Sequence, residues 1–169
     1  MHGKLISNLK ALADQRVDFI VVGGIGAAIH GCPVTTFDLD IVHERSAANI
    51  ARLLQALDSV DAVYRMQPAR RLRPSAEALA GAVHHLLMTR NGPLDVLGEI
   101  GRGHDFEELK ASSEQIVFGG GPAIRVLSLE WIIRTKEEVG GQKDLATLAL
   151  LRAALEEENK PASGDPDPE

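Results

Sequence analysis

The chain carries one cysteine, Cys32, in 169 residues, so it can close no internal disulfide and cannot assemble a cysteine-based zinc site by itself. A reducing, cytoplasmic setting is expected. Basic residues are outnumbered, 18 Lys and Arg against 24 Asp and Glu, and the net charge of -6 excludes a protein whose whole surface coats nucleic acid. Only a local basic patch is compatible with that balance. Long apolar runs are missing too: "MHGKLISNLKALADQ" at the start is interrupted by polar residues, so neither a leader peptide nor a membrane span is expected. No internal repeat is present. The final stretch, "EEENKPASGDPDPE", is acidic and almost without apolar side chains, and residues 158–169 are expected to form a disordered tail. What remains, residues 1–157, is 44% hydrophobic counted over the whole chain and long enough to bury one core, so one domain is expected there.

Apolar periodicity divides that span into elements. Leu5, Ile6, Leu9 and Leu12 mark an amphipathic helix over 4–15, and "VDFIVV" a buried strand over 17–22. "GGIGAAIHG" follows as a tight turn and a helix of about two turns, stopped by Gly31 and Pro33. "FDLDIV" over 37–42 reads as a second strand, with Phe37, Leu39 and Ile41 on one face and Asp38 and Asp40 on the other. Ser46 caps a helix whose stripe is Ile50, Leu53, Leu54 and Leu57. A short strand is expected over 62–66. "VHHLLMTRNGPLDVLGEI" has the form of a hairpin turning at Asn91-Gly92. A short helix over 105–111, strands over 115–118 and 124–127, and helices over 128–139 and 142–157 complete the pattern. A hairpin among mixed strands and helices predicts an α+β or mixed-sheet α/β fold.

The acids inside these strands raise the chemical question. Two carboxylates two residues apart on a strand project from one face about 6 to 7 Å apart, by the ~3.3 Å rise per residue. Burying like charges is costly unless something positive neutralises them, and a divalent metal is one such neutraliser. Oxygen donors suit Mg²⁺, and a third carboxylate would complete a two-metal site. Asp95, in the apolar strand "GPLDVLGEI", is the candidate; alternatively it faces solvent on an edge strand. Gly23 and Gly24, between a strand and a helix, expose backbone N–H groups where an anionic phosphate can approach. The same glycines could serve packing alone. "GIGAAI" also approximates a dinucleotide-binding fingerprint, with Glu44 about twenty residues on as the ribose acid. Against that, Ile29 stands at the third glycine position, and the following helix is too short for a parallel crossover.

Taken together, "VVGGIGAAIHG", "TTFDLDIV" and "LDVLGEI" resemble the nucleotidyltransferase superfamily of the DNA polymerase β type, in its small bacterial branch. "VLSLEWIIRTKEEVGGQKDLATLALL" is similar to the closing helical pair of the abortive-infection, toxin-like members. The resemblance spans about residues 4–155. It implies a polymerase β-like fold with a C-terminal helical pair. It also implies a Mg²⁺-dependent enzyme that transfers a nucleoside monophosphate from a triphosphate such as ATP or GTP to an acceptor hydroxyl. Carried over residue by residue, Gly23 and Gly24 contact phosphate, and Asp38 and Asp40 bind metal. Asp95 binds metal or activates the acceptor, Lys136 and Lys143 approach the triphosphate, and Asp144 orients or binds there. The acceptor could be RNA, a protein hydroxyl or a small molecule, and an antitoxin protein is a possible partner. Two departures stand out: Ile25 and Gly26 follow the glycines where relatives often have a polar residue, and Thr35 and Thr36 stand where many have Arg. A catalytically silent domain of the same fold, acting as a binding partner, therefore stays open beside the enzyme.

Other residues have two readings each. Lys136 and Lys143 also fit solvated helix faces, and Asp144 a helix cap. Arg65, Arg70, Arg71 and Arg73 fall within "RMQPARRLRP", which could grip the phosphates of a polynucleotide or simply be a solvated loop. His84 and His85, adjacent on a strand, must face opposite sides. His30 and His43 could approach the pocket, although hydrogen-bonded structural roles are commoner, and Trp131 and Cys32 are assigned to the core.

Overall fold

A computed structural model of the protein describes residues 2–117, 119–141 and 145–161. The chain runs through α1 (His2–Asp14), β1 (Phe19–Val22), α2 (Gly23–Ile29), β2 (Leu39–His43), α3 (Ala47–Ser59) and β3 (Val63–Tyr64). After a 3-10 turn at Pro68–Arg70 come α4 (Ala76–Leu79), β4 (His84–Thr89), β5 (Gly92–Leu97), β6 (Glu99–Ile100) and β7 (His104–Asp105). The order closes with α5 (Phe106–Lys110), β8 (Ser113–Val117), β9 (Ala123–Leu127), α6 (Leu129–Val139) and α7 (Leu145–Glu158).

Seven strands make one mixed sheet in the order β3-β4-β5-β2-β1-β9-β8, with β6 and β7 as a separate two-stranded ribbon. β1 is antiparallel to β2, whereas β2 runs parallel to β5 and β1 parallel to β9. All four residues of β1 are buried, as expected for a central strand covered on both faces. Alternation divides the side chains. Val21, Leu39, Ile41, Leu87, Leu94 and Val96 pack toward Leu9 and Leu12 of α1 and Ile50, Leu53 and Leu57 of α3. Ile20, Val22, Val42, Leu97 and Leu127 pack toward Ile132 and Ile133 of α6 and Leu148 and Leu151 of α7. Each such side chain removed from water contributes about 1.5–3 kcal/mol, and this two-sided burial holds the sheet's centre rigid.

Local signals locate the connections. Ser46 Oγ accepts from Asn49 N–H (3.2 Å), capping α3 as the sequence predicts. Asn49 is fully buried: its Oδ1 accepts from Asp18 N–H (2.7 Å) and its Nδ2 donates to the Asp18 (3.0 Å) and Glu44 (2.7 Å) carbonyls. That amide ties the start of β1 and the end of β2 to the helix, and its removal would orphan buried backbone groups. Three expectations need correction. β2 begins at Leu39, so Asp38 lies in the extended segment before the strand, and Phe37 is 66% exposed instead of joining the core face. The hairpin pairs Thr89 with Gly92, so its two-residue turn is Arg90-Asn91, one residue earlier than predicted. The dinucleotide-binding alternative fails because β1 and β2 are antiparallel, and because Glu44 accepts from Ser46 N–H (2.7 Å) and Oγ–H (2.6 Å). α4, β6 and β7 were not foreseen; each is four residues or fewer, too short to show a period. No helix among the described residues is long and apolar enough to cross a membrane. α7 runs through Glu158, and residues 162–169 of the expected tail lie outside the described residues.

Candidate active site

One line of backbone pairing across five strands places the charged groups. Arg65 N–H, just after β3, donates to the Leu86 carbonyl on β4 (3.1 Å); Leu86 pairs with Asp95 on β5, Asp95 with Asp40 on β2, and Asp40 with Val22 on β1. Paired residues of neighbouring strands point to the same face, so Asp40 and Asp95 stand side by side. Asp38, two residues earlier, joins them from the extended segment.

Two of the three carboxylates, Asp38 and Asp95, share a positive partner, and it belongs to the chain. Arg65 grips Asp95 with two hydrogen bonds, Nη1 to Oδ1 (2.8 Å) and Nη2 to Oδ2 (3.3 Å), and Nη1 stands 3.7 Å from Asp38 Oδ2. Asp95 is only 7% exposed, so this fork–fork pair is largely desolvated. One guanidinium does not balance three carboxylates. Burial pushes the Asp40 carboxyl up to about 7, the charges of Asp95 and Asp38 and a hydrogen bond with Asp95 add to it, and Arg65 opposes. Burial also raises Asp95, against the pull of Arg65. A further cation would relieve this excess, and three oxygen donors suit a hard divalent ion such as Mg²⁺. Among the described residues, however, no three His, Cys, Asp or Glu side chains are arranged to close on one ion, with both Asp95 oxygens held by Arg65.

Beyond Val22 the chain turns sharply into α2. Gly23 has φ +64°, and a Cβ there would lie 2.3 Å from Asp40 Oδ2, so only glycine lets the backbone pass this close to the acid. At Gly24 a Cβ would meet Thr36 Cβ and Cγ2 at 2.9 Å, so the second glycine makes room for the segment leading to Asp38. Val22, the N-cap of α2, offers no side-chain acceptor to the first helical N–H groups.

These pieces open onto a cavity of about 250 Å³ between the sheet and the α6–α7 pair. Gly23, Gly24, Asp40 and Lys136 line it, with Ile132, Thr135 and Thr147 on the helices. Asp38 and Asp95 are outside this lining, grouped around Arg65 beside Asp40. Lys143 and Asp144 lie outside the described residues. A larger cavity, about 490 Å³, is lined by Leu5, Ile25, Phe37, Leu39 and Pro93 and holds no carboxylate, so its size does not make it the chemical centre.

For Arg65 the sequence offers either a phosphate-gripping loop or a solvated one, and neither reading places it beside the acids. The one visible sign of that contact is an arginine inside the short strand expected over 62–66; the contact depends on β3 pairing with β4 and β4 with β5. His84 was also missed. It lines the cavity and its Nε2 lies 3.0 Å from the Glu99 carbonyl, while His85 points the opposite way and is buried. The other arginines of the loop are engaged: Arg71 bonds Asp61, Arg73 bonds Asp58 and Asp61, and Arg70 bonds Gln67. His43 is fully buried between the Leu97 (3.0 Å) and Leu79 (2.8 Å) carbonyls, and His30 Nε2 lies 2.9 Å from the Leu127 carbonyl, so both are structural.

Neither a family model nor a curated protein matches the sequence. Solved structures do match the fold. A candidate nucleotidyltransferase (TM1012) from Thermotoga maritima superposes with a TM-score of 0.56 at 18% identity, covering 92% of this chain and 91% of that one. The antibiotic-resistance factor ANT(2'')-Ia, in solution, gives a TM-score of 0.59 at 15% identity, with coverage of 92% and 84%. The crystal structure of ANT(2'')-Ia in complex with adenylyl-2''-tobramycin gives 0.58 at 15% identity, with coverage of 94% and 92%. The α+β fold expected from the resemblance is the fold found: this chain has the nucleotidyltransferase architecture, mixed sheet and closing helical pair included.

Proposed function

We propose that the protein is a metal-dependent nucleotidyltransferase that moves a nucleoside monophosphate from a nucleoside triphosphate to an acceptor hydroxyl. The observation that carries this reading is the pairing of Asp95 with Asp40, which itself lines a cavity together with Gly23, Gly24 and Lys136. An acid pair, a backbone turn without a Cβ and a cation are the three requirements for handling a triphosphate. In this chain they occur together, within a fold whose solved examples include ANT(2'')-Ia in complex with adenylyl-2''-tobramycin.

Asp38 and Asp40 would hold Mg²⁺, with Asp95 available once it is released from Arg65. When bound, the ion polarises the α-phosphate and makes the acceptor hydroxyl more acidic. The chain does the rest. Gly23 and Gly24 present backbone N–H groups to the triphosphate, and Lys136 adds positive charge along the cavity. A buried carboxylate such as Asp95, its affinity for protons raised, is suited to take the acceptor's proton at Oδ1. The acceptor oxygen then bonds to the α-phosphorus in line as the bond to the bridging oxygen breaks, and pyrophosphate leaves with the electron pair.

Among acceptors, a polyhydroxylated small molecule is favoured over RNA. The basic loop spends Arg71 and Arg73 on Asp58 and Asp61, which leaves little for a polynucleotide, and the ANT(2'')-Ia complex shows that this fold accommodates an aminoglycoside product. The silent-domain reading has one observation in its favour, the arginine already lodged among the acids. The experiment that separates the readings incubates the protein with each labelled triphosphate, Mg²⁺ or Mn²⁺, and either an aminoglycoside panel or total RNA. Label transfer and pyrophosphate release that vanish in Asp40→Ala are expected; triphosphate binding without turnover would favour the silent domain.

A further inference from the structure

We infer that Arg65 is a resident cation of the acid cluster that competes with the divalent ion, so that metal loading requires its guanidinium to let go of Asp95 and Asp38. The inference rests on the transferase reading above, because it presumes that those acids take a metal.

Three features of the geometry support it. First, the guanidinium satisfies both oxygens of Asp95 and stands 3.7 Å from Asp38, so it spans two of the three acids to which an ion would bind. A guanidinium and a divalent cation within about 4 Å repel each other in a partly desolvated setting, and the two states alternate instead of coexisting. Second, only the side chain has to move. Arg65 N–H is fixed to the Leu86 carbonyl, and the preceding Tyr64 is fixed by its N–H to the Leu72 carbonyl (2.8 Å) and by its hydroxyl to His85 Nδ1 (2.8 Å). Third, the way out is open: the Arg65 side chain keeps 24% of its exposure, and the next residue, Met66, is 78% exposed. Arginine is also the cation suited to the task, since its fork matches a carboxylate in two places where a lysine offers one point of charge. In the metal-free state the ion pair keeps buried Asp95 from standing alone as an uncompensated charge, which would be strongly destabilising.

The competition is reciprocal, so weakening the arginine must strengthen the metal by the same factor. The test is Mn²⁺ affinity, measured by titration calorimetry and by the free-Mn²⁺ electron paramagnetic resonance signal, without nucleotide. Arg65→Ala is expected to bind Mn²⁺ about tenfold or more tightly than wild type, within the usual range of coupling between sites. Arg65→Lys should fall between them, and it guards against misfolding of the alanine variant because it keeps the charge. In the wild-type protein, Mg²⁺ should shift the ¹⁵N–¹H resonance of the Arg65 Nε group. Equal Mn²⁺ affinity in wild type and both variants, abolished by Asp40→Ala, would overturn the competition and leave the transferase reading intact. Absence of Mn²⁺ binding in all of them, with or without a triphosphate, would overturn both.

Discussion

Two charged clusters in this protein each set carboxylates around an arginine and differ in how their charge is balanced. Around His104, two carboxylates face an imidazole and a guanidinium. Nδ1 of His104 meets Glu108 Oε1 (2.8 Å), Nε2 meets Glu138 Oε2 (2.7 Å), Arg134 Nε donates to Glu138 Oε1 (3.3 Å), and Arg102 N–H donates to Glu138 Oε2 (3.0 Å). Trp131 lies edge-on to the imidazole with centroids 5.2 Å apart, and Arg134 lies over the indole at 4.3 Å. Burial opposes the imidazolium, but the hydrogen bonds and charges of Glu108 and Glu138 outweigh it and raise the His104 pKa. Every group there has a partner of opposite charge, and the cluster latches the β7–α5 segment to α6. Around Asp40, among the described residues, three carboxylates lie beside the guanidinium of Arg65, and the carboxyl of Asp40 is driven up to about 7. A cluster that is complete needs nothing else; one that is short of positive charge is where a ligand ion gains most.

Experiments can break that contrast in order of expected size. Replacing the acid that Arg65 does not grip should hurt function far more than folding. Asp40→Ala should lower pyrophosphate release by at least about a hundredfold, the scale of removing a group that stabilises developing charge. The variant should still unfold cooperatively, because a repulsive charge has been removed; if it is instead unfolded at neutral pH, Asp40 belongs with the structural residues. Gly23→Ala comes next. With φ +64° and a Cβ 2.3 Å from Asp40 Oδ2, it should cost about 1–3 kcal/mol in a urea titration and weaken triphosphate binding together with stability.

The remaining tests use pH and charge pairing. A folded carboxyl raised from 3.8 to about 7 contributes stability that is complete below about pH 4 and lost as the pH climbs to about 7. Asp40→Asn, which mimics the protonated form, should match wild type at pH 4 and melt higher at pH 8 in chelator-treated protein. A melting curve with no such divergence would show that the three acids do not repel as their positions require. His104→Gln has the same direction for a different reason: a raised imidazole pKa gives stability that is present below about 6.5 and lost as pH rises through its folded value, so the variant's deficit should be larger at pH 5 than at pH 9. Its effect on transfer should be modest. Smallest of all, Arg71→Ala and Arg73→Ala should leave the urea midpoint close to wild type and RNA binding unchanged, since both partner exposed aspartates.

Much of the candidate site is legible in the amino-acid order, for identifiable physical reasons. Aspartate is so poorly tolerated in strands that Asp40 and Asp95 stand out inside "FDLDIV" and "GPLDVLGEI" without further information. The hairpin and the Ser46 cap are local signals, set by residues within a few positions of each other. Asp38 was misplaced by one element because the strand's start depends on where β5 begins to pair, at Leu39 with Leu94. Phe37 followed it into the wrong environment. Arg65 was seen and assigned to a loop, since nothing within ten residues of it names Asp95 as its partner.

The amino-acid order by itself determined which groups could do chemistry here: three acids in or beside strands, a glycine pair at a strand-to-helix turn, and a hairpin signal that favoured antiparallel pairing in an α+β or mixed-sheet fold. These follow from side-chain periodicity and from what glycine and aspartate cost in regular structure, and both act over a few residues. Tertiary structure alone decided that the acids would meet an arginine. That outcome depends on the lateral order of β3, β4, β5 and β2, which brings residues thirty positions apart to within 3 Å.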